Sequence, residues 1–547
     1  MTMKANPTTV HAHLSALHAG QALKLEAGGY FLPLVVSGKS GTQEAPIVIG
    51  GDDGARLGPG QTYRDFRRTA NELSAVQEAG GGYPGVYYLA DNAALVLRDC
   101  QWLVIEDLFL DGCWPTAVYI DNCQHITLRG LDIRGGTFAI GATGRNTRHL
   151  LVEDCTWIQD INDGGENDIA SIHRHDRLMT NEPGVGSALW NEIDWEDVHR
   201  NWQEDDGKRV DIDADHRGYD GDFFRAWTIA GYVIIRNNVI ADAFNAVHFF
   251  NQAAISEVTK FSRNVLIENN WFIRIRDNAI EPEDYAWNWT IRHNKFIDCY
   301  GPFSFEMHSS GYFYIYGNLG WNRHKPGPLH DDHTTGQLFK FPEAHVDAGP
   351  HYVFNNSWIL RSPIVKRKRF SNFVHVNNAI DYYGEGGATP PDGANPFGPK
   401  WKEEDAPSEP AGAIPKAEGD RFTKQWNRLA IRFDGDVVNH PLFPDELREA
   451  GYAIGETSRQ ASPAFLDPSP GRPKGLMMTT TFPAQPLKLL LPDGQFQIAI
   501  EAGASVGAWQ QDRLLKIEAP LFDRFWPVPK VRARRSRVAS TNADGHA

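Results

Sequence analysis

Six times between residues 230 and 380, a short run rich in β-branched and aromatic residues leads directly into an asparagine. The runs are VIIRN before Asn238, VLIEN before Asn270, WTIRH before Asn294, FYIYG before Asn318, YVFN before Asn356 and FVHVN before Asn378. The asparagines are 32, 24, 24, 38 and 22 residues apart. A basal period of 22–24 residues with longer excursions is the mark of a solenoid whose coils carry loops on one side. The chain is therefore expected to be all-β, a right-handed parallel β-helix in which each coil gives one strand to each of a few parallel sheets. The recurrent asparagine suits a turn between sheets, where its amide bonds to the neighbouring coil and its backbone tolerates the left-handed region.

Earlier coils are legible at WLVIEDLFLDG (102–112), HITLRGLDIRG (125–135) and HLLVEDCTWIQ (149–159). Residues 1–20 read as an N-terminal cap and 21–383 as the β-helix. Residues 160–228 break the period with a polar, aromatic insertion in which Trp190, Ile193, Trp195 and Val198 have helical spacing. Insertions of that length in a solenoid are usually functional. A Pro/Gly-rich stretch after 383 introduces a region, 384–547, expected to wrap and cap the solenoid.

Composition narrows the function. The net charge of -15 argues against a nucleic-acid partner, because phosphate neutralisation needs basic surface. No apolar run is long enough to span a membrane. The N-terminus lacks the apolar core of a signal peptide, so the expected location is the cytoplasm unless a leader has been removed. The five cysteines, Cys100, Cys113, Cys123, Cys155 and Cys299, show no CxxC spacing and suggest neither a disulfide framework nor a zinc site. Cys100 and Cys123, one coil apart, read as stacked interior residues. GxSxG, phosphate-loop, GxGxxG-after-strand and HExxH motifs are absent, which removes those enzyme classes.

Aligning the coils on their asparagines brings AVHFFNQ (246–252), AIEPEDY (279–285), PFSFEMH (302–308) and GQLFKFPE (336–343) into one parallel sheet. Its outward column is expected to hold His248, Glu281, Glu306 and Lys340, within one or two positions of register, with Asn251, Glu283, Asp284, Tyr285 and His308 beside it. A row of ionisable groups on an apolar strand is costly unless solvated, paired or used. Two stacked carboxylates match the paired acids of a glycoside hydrolase. Glu-x-Glu with an Asn also offers oxygen ligands for calcium, and Lys340, His248 or His308 then provides a base for proton abstraction. The plain alternative is a solvated stripe of paired Glu and Lys. Asp220, Asp222 and Arg225 in GYDGDFFR, and His330 and His333 in LHDDHTTG, are candidate substrate contacts, as is Tyr285.

The opening GKSGTQEAPIVIGG (38–51) and the pairing of Asn251 with Glu281-Pro282-Glu283 resemble the chondroitinase B/alginate lyase group of β-helix proteins, and ASPAF (461–465) and SVGAWQ (505–510) resemble the ending of many β-helix proteins. The resemblance implies a carbohydrate-active enzyme with calcium held by Asn251, Glu281 and Glu283. That group's catalytic Lys falls near Asn288 and its Arg near Glu306, so neither is matched. A lyase would need a replacement base, Lys340 or His308. The expectation is an enzyme cleaving glycosidic bonds of a glycan, leaning to β-elimination at a uronate. Hydrolysis by Glu281 and Glu306 is the alternative, and a non-catalytic glycan-binding β-helix the third.

Overall fold

A computed structural model describes residues 2–63, 65–66, 92–160, 187–193, 195, 198, 217–308, 310–323, 336–340, 349–361, 364, 373–382, 432–440, 443–445 and 453–517. Within them the chain is a parallel β-helix. Three sheets of 14, 13 and 9 strands run along its length, and every strand in them pairs in parallel with the equivalent strand one coil away. Parallel crossovers in one sheet are right-handed almost without exception, which gives the coil its hand.

The asparagine column is the spine of the C-terminal half. Asn238, Asn270, Asn294, Asn318, Asn356 and Asn378 are all fully buried. From Asn270 onward the side-chain oxygen accepts from the backbone N–H and the amide of the asparagine before it, and that of Asn238 accepts from the Cys155 N–H, while each amide donates to a carbonyl of the preceding coil; for Asn294 these bonds are 2.9–3.1 Å. The column ends at Asp436, whose carboxylate accepts from the Asn378 amide and backbone and from His375. In the N-terminal half, Leu108, Leu131 and Cys155 occupy the same position. The left-handed residue is the one before: Asp107, Asp154, Asn237, Asn269, His293, Asn355 and Asn377 have φ between 50° and 61°. The turn thus divides two tasks that the sequence reading gave to one asparagine.

Inside the coils, aliphatic stacks such as Leu103, Ile105 and Ile126 fill the N-terminal half. Aromatic packing takes over beyond residue 220, with Phe249 edge-on to Trp289 at 4.8 Å and Phe313 stacked on His351 at 4.6 Å between ring centres. Cys100 and Cys123 do lie in one column, the thiol of Cys123 accepting from the Cys100 N–H. Outside the longest sheet, Glu106, Arg129, Glu153, Arg236, Glu268 and Arg292 alternate in sign from coil to coil. Arg129 meets Glu153 at 2.6 Å and Arg292 meets Glu268 at 2.8 Å.

The coils overrun the expected borders. Thr2–Ala5 already pairs with Ala22–Leu25, so the longest sheet begins inside the expected cap. Phe224–Trp227 is a strand of the nine-stranded sheet, and the insertion therefore ends before residue 224. Beyond 383, Arg432–Asp434 and Val437–Asn439 continue the two longer sheets. Residues 461–517 then fold back over the outside, burying Tyr314 and Tyr352 beneath Leu487, Leu489 and Ile500.

Replacing Asn294 by Ala removes four buried hydrogen bonds and strands the Asn270 N–H and the Ile267 carbonyl. The expected loss is about 3 kcal/mol of stability, seen as an earlier urea midpoint with unchanged native circular dichroism. A midpoint within error of the wild type contradicts the role given to the column.

Candidate functional site

The nine-stranded sheet runs through Leu34–Ser37, Ala93–Arg98, Thr116–Asp121, Phe138–Thr143, Phe224–Trp227, Val247–Phe250, Asn278–Glu283, Gly301–Ser304 and Phe339–Lys340. Side chains alternate between the core and the outer face. One outward column reads Val96, Tyr119, Gly141, Arg225, His248, Glu281, Ser304, Lys340. The parallel column two residues further along reads Arg98, Asp121, Thr143, Trp227, Phe250, Glu283, and the bridge of Asp284 to Met307 sets Glu306 over Glu283.

This places the register at the edge of the expected one-or-two-residue range. Ser304, not Glu306, stacks on Glu281, and the stacked glutamates are Glu283 and Glu306. A two-residue shift preserves the outward face, so Glu306 remains on the same wall.

His248 is the hub. Its ring is buried, with Nε2 at 2.9 Å from Glu283 and Nδ1 at 3.4 Å from Asp222 and 3.5 Å from Glu281. Arg225 approaches Nδ1 at 3.3 Å and donates to Asp222 Oδ2, while the other oxygen of Asp222 stands 3.4 Å from Nδ1. Burial alone would lower the imidazole's pKa, but Glu281 and Asp222 outweigh both burial and Arg225 and hold it at about 10. The histidine is a fixed cation at neutral pH and not the ready base that the sequence suggested.

Glu281 is almost wholly enclosed. Its Oε1 accepts from Asn278 at 3.0 Å and from Ser304 at 2.9 Å. Burial pushes its pKa up, against the opposing charges of His248 and Lys340. Lys340 reaches across to Glu306 at 2.9 Å. Burial disfavours its charge, yet Asp277, Glu281 and Glu306 together raise its pKa above the ordinary lysine value, so it too is a cation and not a base. Glu283 and Glu306 are the more open acids, their side chains 38% and 34% exposed. At the end of the strand, Tyr285 and His308 lie 5.1 Å apart, with His308 exposed. Burial and Glu283 raise the pKa of Asp284, and burial and Asp284 raise that of Tyr285.

Other candidates divide. Asp222 is fully buried and serves as the partner of Arg225 and His248, which leaves it no surface for substrate. Asp220 stands 3.9 Å from Arg225. His330 and His333 lie outside the described residues. Asn251 does not join the carboxylates. It follows the outward Phe250 and so faces inward, where its amide donates to the Val258 carbonyl at 2.8 Å and closes the 252–261 loop. Calcium therefore does not fit as expected: one proposed ligand is turned away, and Glu281 and Glu283 already face His248, Asn278 and Ser304. Among the described residues no group of three or more His, Cys, Asp or Glu side chains is arranged to hold a metal ion.

The sequence reading missed Asn278, Ser304 and Asp277. Asn278 and Ser304 were within reach of it, since counting outward from His248 through the coils lands on Ser304, and Asn278 is the third residue before Glu281.

No family model and no curated protein matches this chain. Among solved structures it is similar to a mannuronic acid specific polysaccharide family 6 lyase from human gut microbiota, at 12% identity and a TM-score of 0.39, covering 85% of this chain and 92% of the other. It is also similar to a family PL6 alginate lyase, at 10% identity and a TM-score of 0.41, covering 88% of this chain and 57% of the other. A family 28 exopolygalacturonase of Yersinia enterocolitica matches at 10% identity and a TM-score of 0.33, covering 71% of this chain and 76% of the other. Likenesses this distant carry no argument about the reaction.

The His248 cluster sets a pH dependence. In the unfolded chain the imidazole titrates near 6.5, and in the fold near 10, so its stabilisation is complete below about 6.5 and is lost as pH climbs toward 10. Urea midpoints measured across that window should fall with pH in the wild type and fall less in His248→Gln. Parallel curves for the two proteins rule out a protonated His248 in the native cluster.

Proposed function

We propose that this protein hydrolyses a glycosidic bond of a neutral glycan, with Glu283 and Glu306 flanking the bond. The observation that carries this reading is the stacking of these two open carboxylates in adjacent coils. Adjacent coils of a parallel sheet lie about 4.8 Å apart, which brings both acids within reach of one glycosidic oxygen and its anomeric carbon. Each carboxylate is gripped on Oε2 by a cation, Glu283 by His248 and Glu306 by Lys340. That grip fixes the orientation of each carboxylate through one of its two oxygens. One acid delivers a proton to the leaving oxygen. The other attacks the anomeric carbon or takes the proton from an attacking water.

Elimination is less well supported. It requires a base beside the acidified carbon and a positive charge free to neutralise the uronate. Lys340 and His248 both hold their protons, and Arg225, His248 and Lys340 are each already matched to carboxylates. Asp277, Glu281, Glu283, Asp284 and Glu306 would repel an acidic sugar, and this favours a neutral one.

A panel of neutral and acidic polysaccharides, read for reducing ends and for near-ultraviolet absorbance, tests the reading. New reducing ends without unsaturated product are expected. Glu283→Gln and Glu306→Gln should each lower kcat/KM by about 100-fold or more with the fold intact. Absorbing products, or near-normal turnover in both variants, overturn it. Exhaustive chelation should leave the rate unchanged, since the site's own cations occupy the carboxylates; loss of activity restored by calcium would contradict that.

A further inference from the structure

On the N-terminal side of the acids, the same outward column turns aromatic. Phe250 lies one coil from Glu283 and Trp227 two coils away, and both are partly exposed, as are Thr143 and Asp121 beyond them. The geometry points to a sugar-binding platform formed by Trp227 and Phe250, over which a neutral glycan lies along the helix axis and leads into the Glu283–Glu306 pair. This rests on the glycan-cleaving reading and extends it by assigning the course of the substrate and a residue that selects for its length.

Three features support it. First, the platform is held in place from beneath. The Arg225 guanidinium sits between Phe138, at 4.9 Å, and Phe250, at 5.2 Å, while Trp227 sets its edge on Phe138 at 5.5 Å and 79°. The His248 ring stacks on Phe250 at 4.2 Å and 27°. The cation cluster that orients Glu283 is thus the one that fixes the aromatic floor.

Second, the column has a glycine where a side chain would intrude. A Cβ on Gly141 would come within 3.2 Å of Tyr119 and 3.3 Å of Trp227. Its absence lets the indole of Trp227 pack over that coil against the buried Tyr119.

Third, the spacing is right for the ligand. Each coil advances about 4.8 Å, about one sugar unit, so a chain held at the Glu283–Glu306 pair sets its next ring on Phe250 and only the ring after that on Trp227, beyond the reach of a disaccharide. An aromatic face offers a pyranose large apolar contact at low entropic cost. Further along, Arg98 and Asp121 pair with each other at 3.4 Å, and no uncompensated cation marks this stretch among the described residues as a path for an acidic chain.

The test uses full-length protein carrying Glu306→Gln, so that binding is measured whether or not the hydrolytic reading holds. Its affinities for neutral gluco-, xylo- and galacto-oligosaccharides, disaccharide to hexasaccharide, are compared with those of the same protein also carrying Trp227→Ala or Trp227→Phe. The expected result is affinity that rises with chain length, a loss of about tenfold or more for the longer members in Trp227→Ala, recovery in Trp227→Phe, and little change for the disaccharide. Equal affinity with and without the indole overturns the inference, as does an equal loss at every length or the absence of binding by any member. If Trp227→Ala is without effect while hydrolysis still depends on Glu283, only the platform falls. If the platform binds but nothing is cleaved, only the hydrolytic reading falls.

Discussion

Among the described residues the strands of the three sheets pair in parallel from coil to coil, and this pairing locks the register of the molecule. A slip of one residue in any coil would turn its whole set of side chains from core to solvent. The buried asparagine column adds a second lock at the corner, because an amide that both accepts and donates from coil to coil fits only when each asparagine lies directly over the last. Groups far apart along the chain then become neighbours by position alone. His248, Glu281, Ser304 and Lys340 meet because each occupies the same place in its own coil.

The site exploits that rigidity to keep charges where they would otherwise be expelled. Asp222, His248 and Glu281 are nearly inaccessible, and buried charges survive only when closely paired and hydrogen-bonded. The segment that supplies Asp222 is anchored separately. Gln159 donates to the Tyr219 carbonyl, Thr137 to the Gly218 carbonyl, and the Tyr219 hydroxyl to Asp160. Burial lifts the Asp160 carboxyl to about 6 even with these bonds. The end of the long insertion is thereby tied to the coil before it, and the acid it carries arrives beside the imidazole with little freedom.

Much of this was legible in the chain, and the parts that were not have specific causes. The asparagine recurrence exposed the coil period, and the period placed His248, Glu281 and Lys340 in one column. It could not place Glu306, because the strand Gly301–Ser304 ends two residues earlier and only a lone bridge sets the register beyond it. Asn251 misled because similarity of spacing was weighed above strand parity; one residue past the outward Phe250, it had to face inward. The left-handed corner was assigned to the wrong neighbour, since in most coils both residues are of types that tolerate it. The alternating Glu and Arg ladder was written plainly in VEDC, IIRN, LIEN and TIRH, yet it shows only once the strands are laid side by side. The coils beyond residue 430 lay hidden behind a linker-like composition.

The sheet bearing the site is shorter than its companions, nine strands against 13 and 14, and among the described residues it ends at Phe339–Lys340 while the others continue to Ala453–Ile454 and Arg459–Gln460. Glu283, Glu306 and Lys340 therefore occupy its last coils, with the Ile364 carbonyl accepting from the Phe339 N–H at the edge. A pair of acids in mid-sheet would be flanked by side chains on both sides along the axis. On one flank of the acids along the axis lies the aromatic run through Phe250 and Trp227. On the proposed reading the helix separates binding from chemistry along a single axis. Apolar rings lie on the coils of Trp227 and Phe250, and the ionisable groups follow on the coils of Glu283, Glu306 and Lys340.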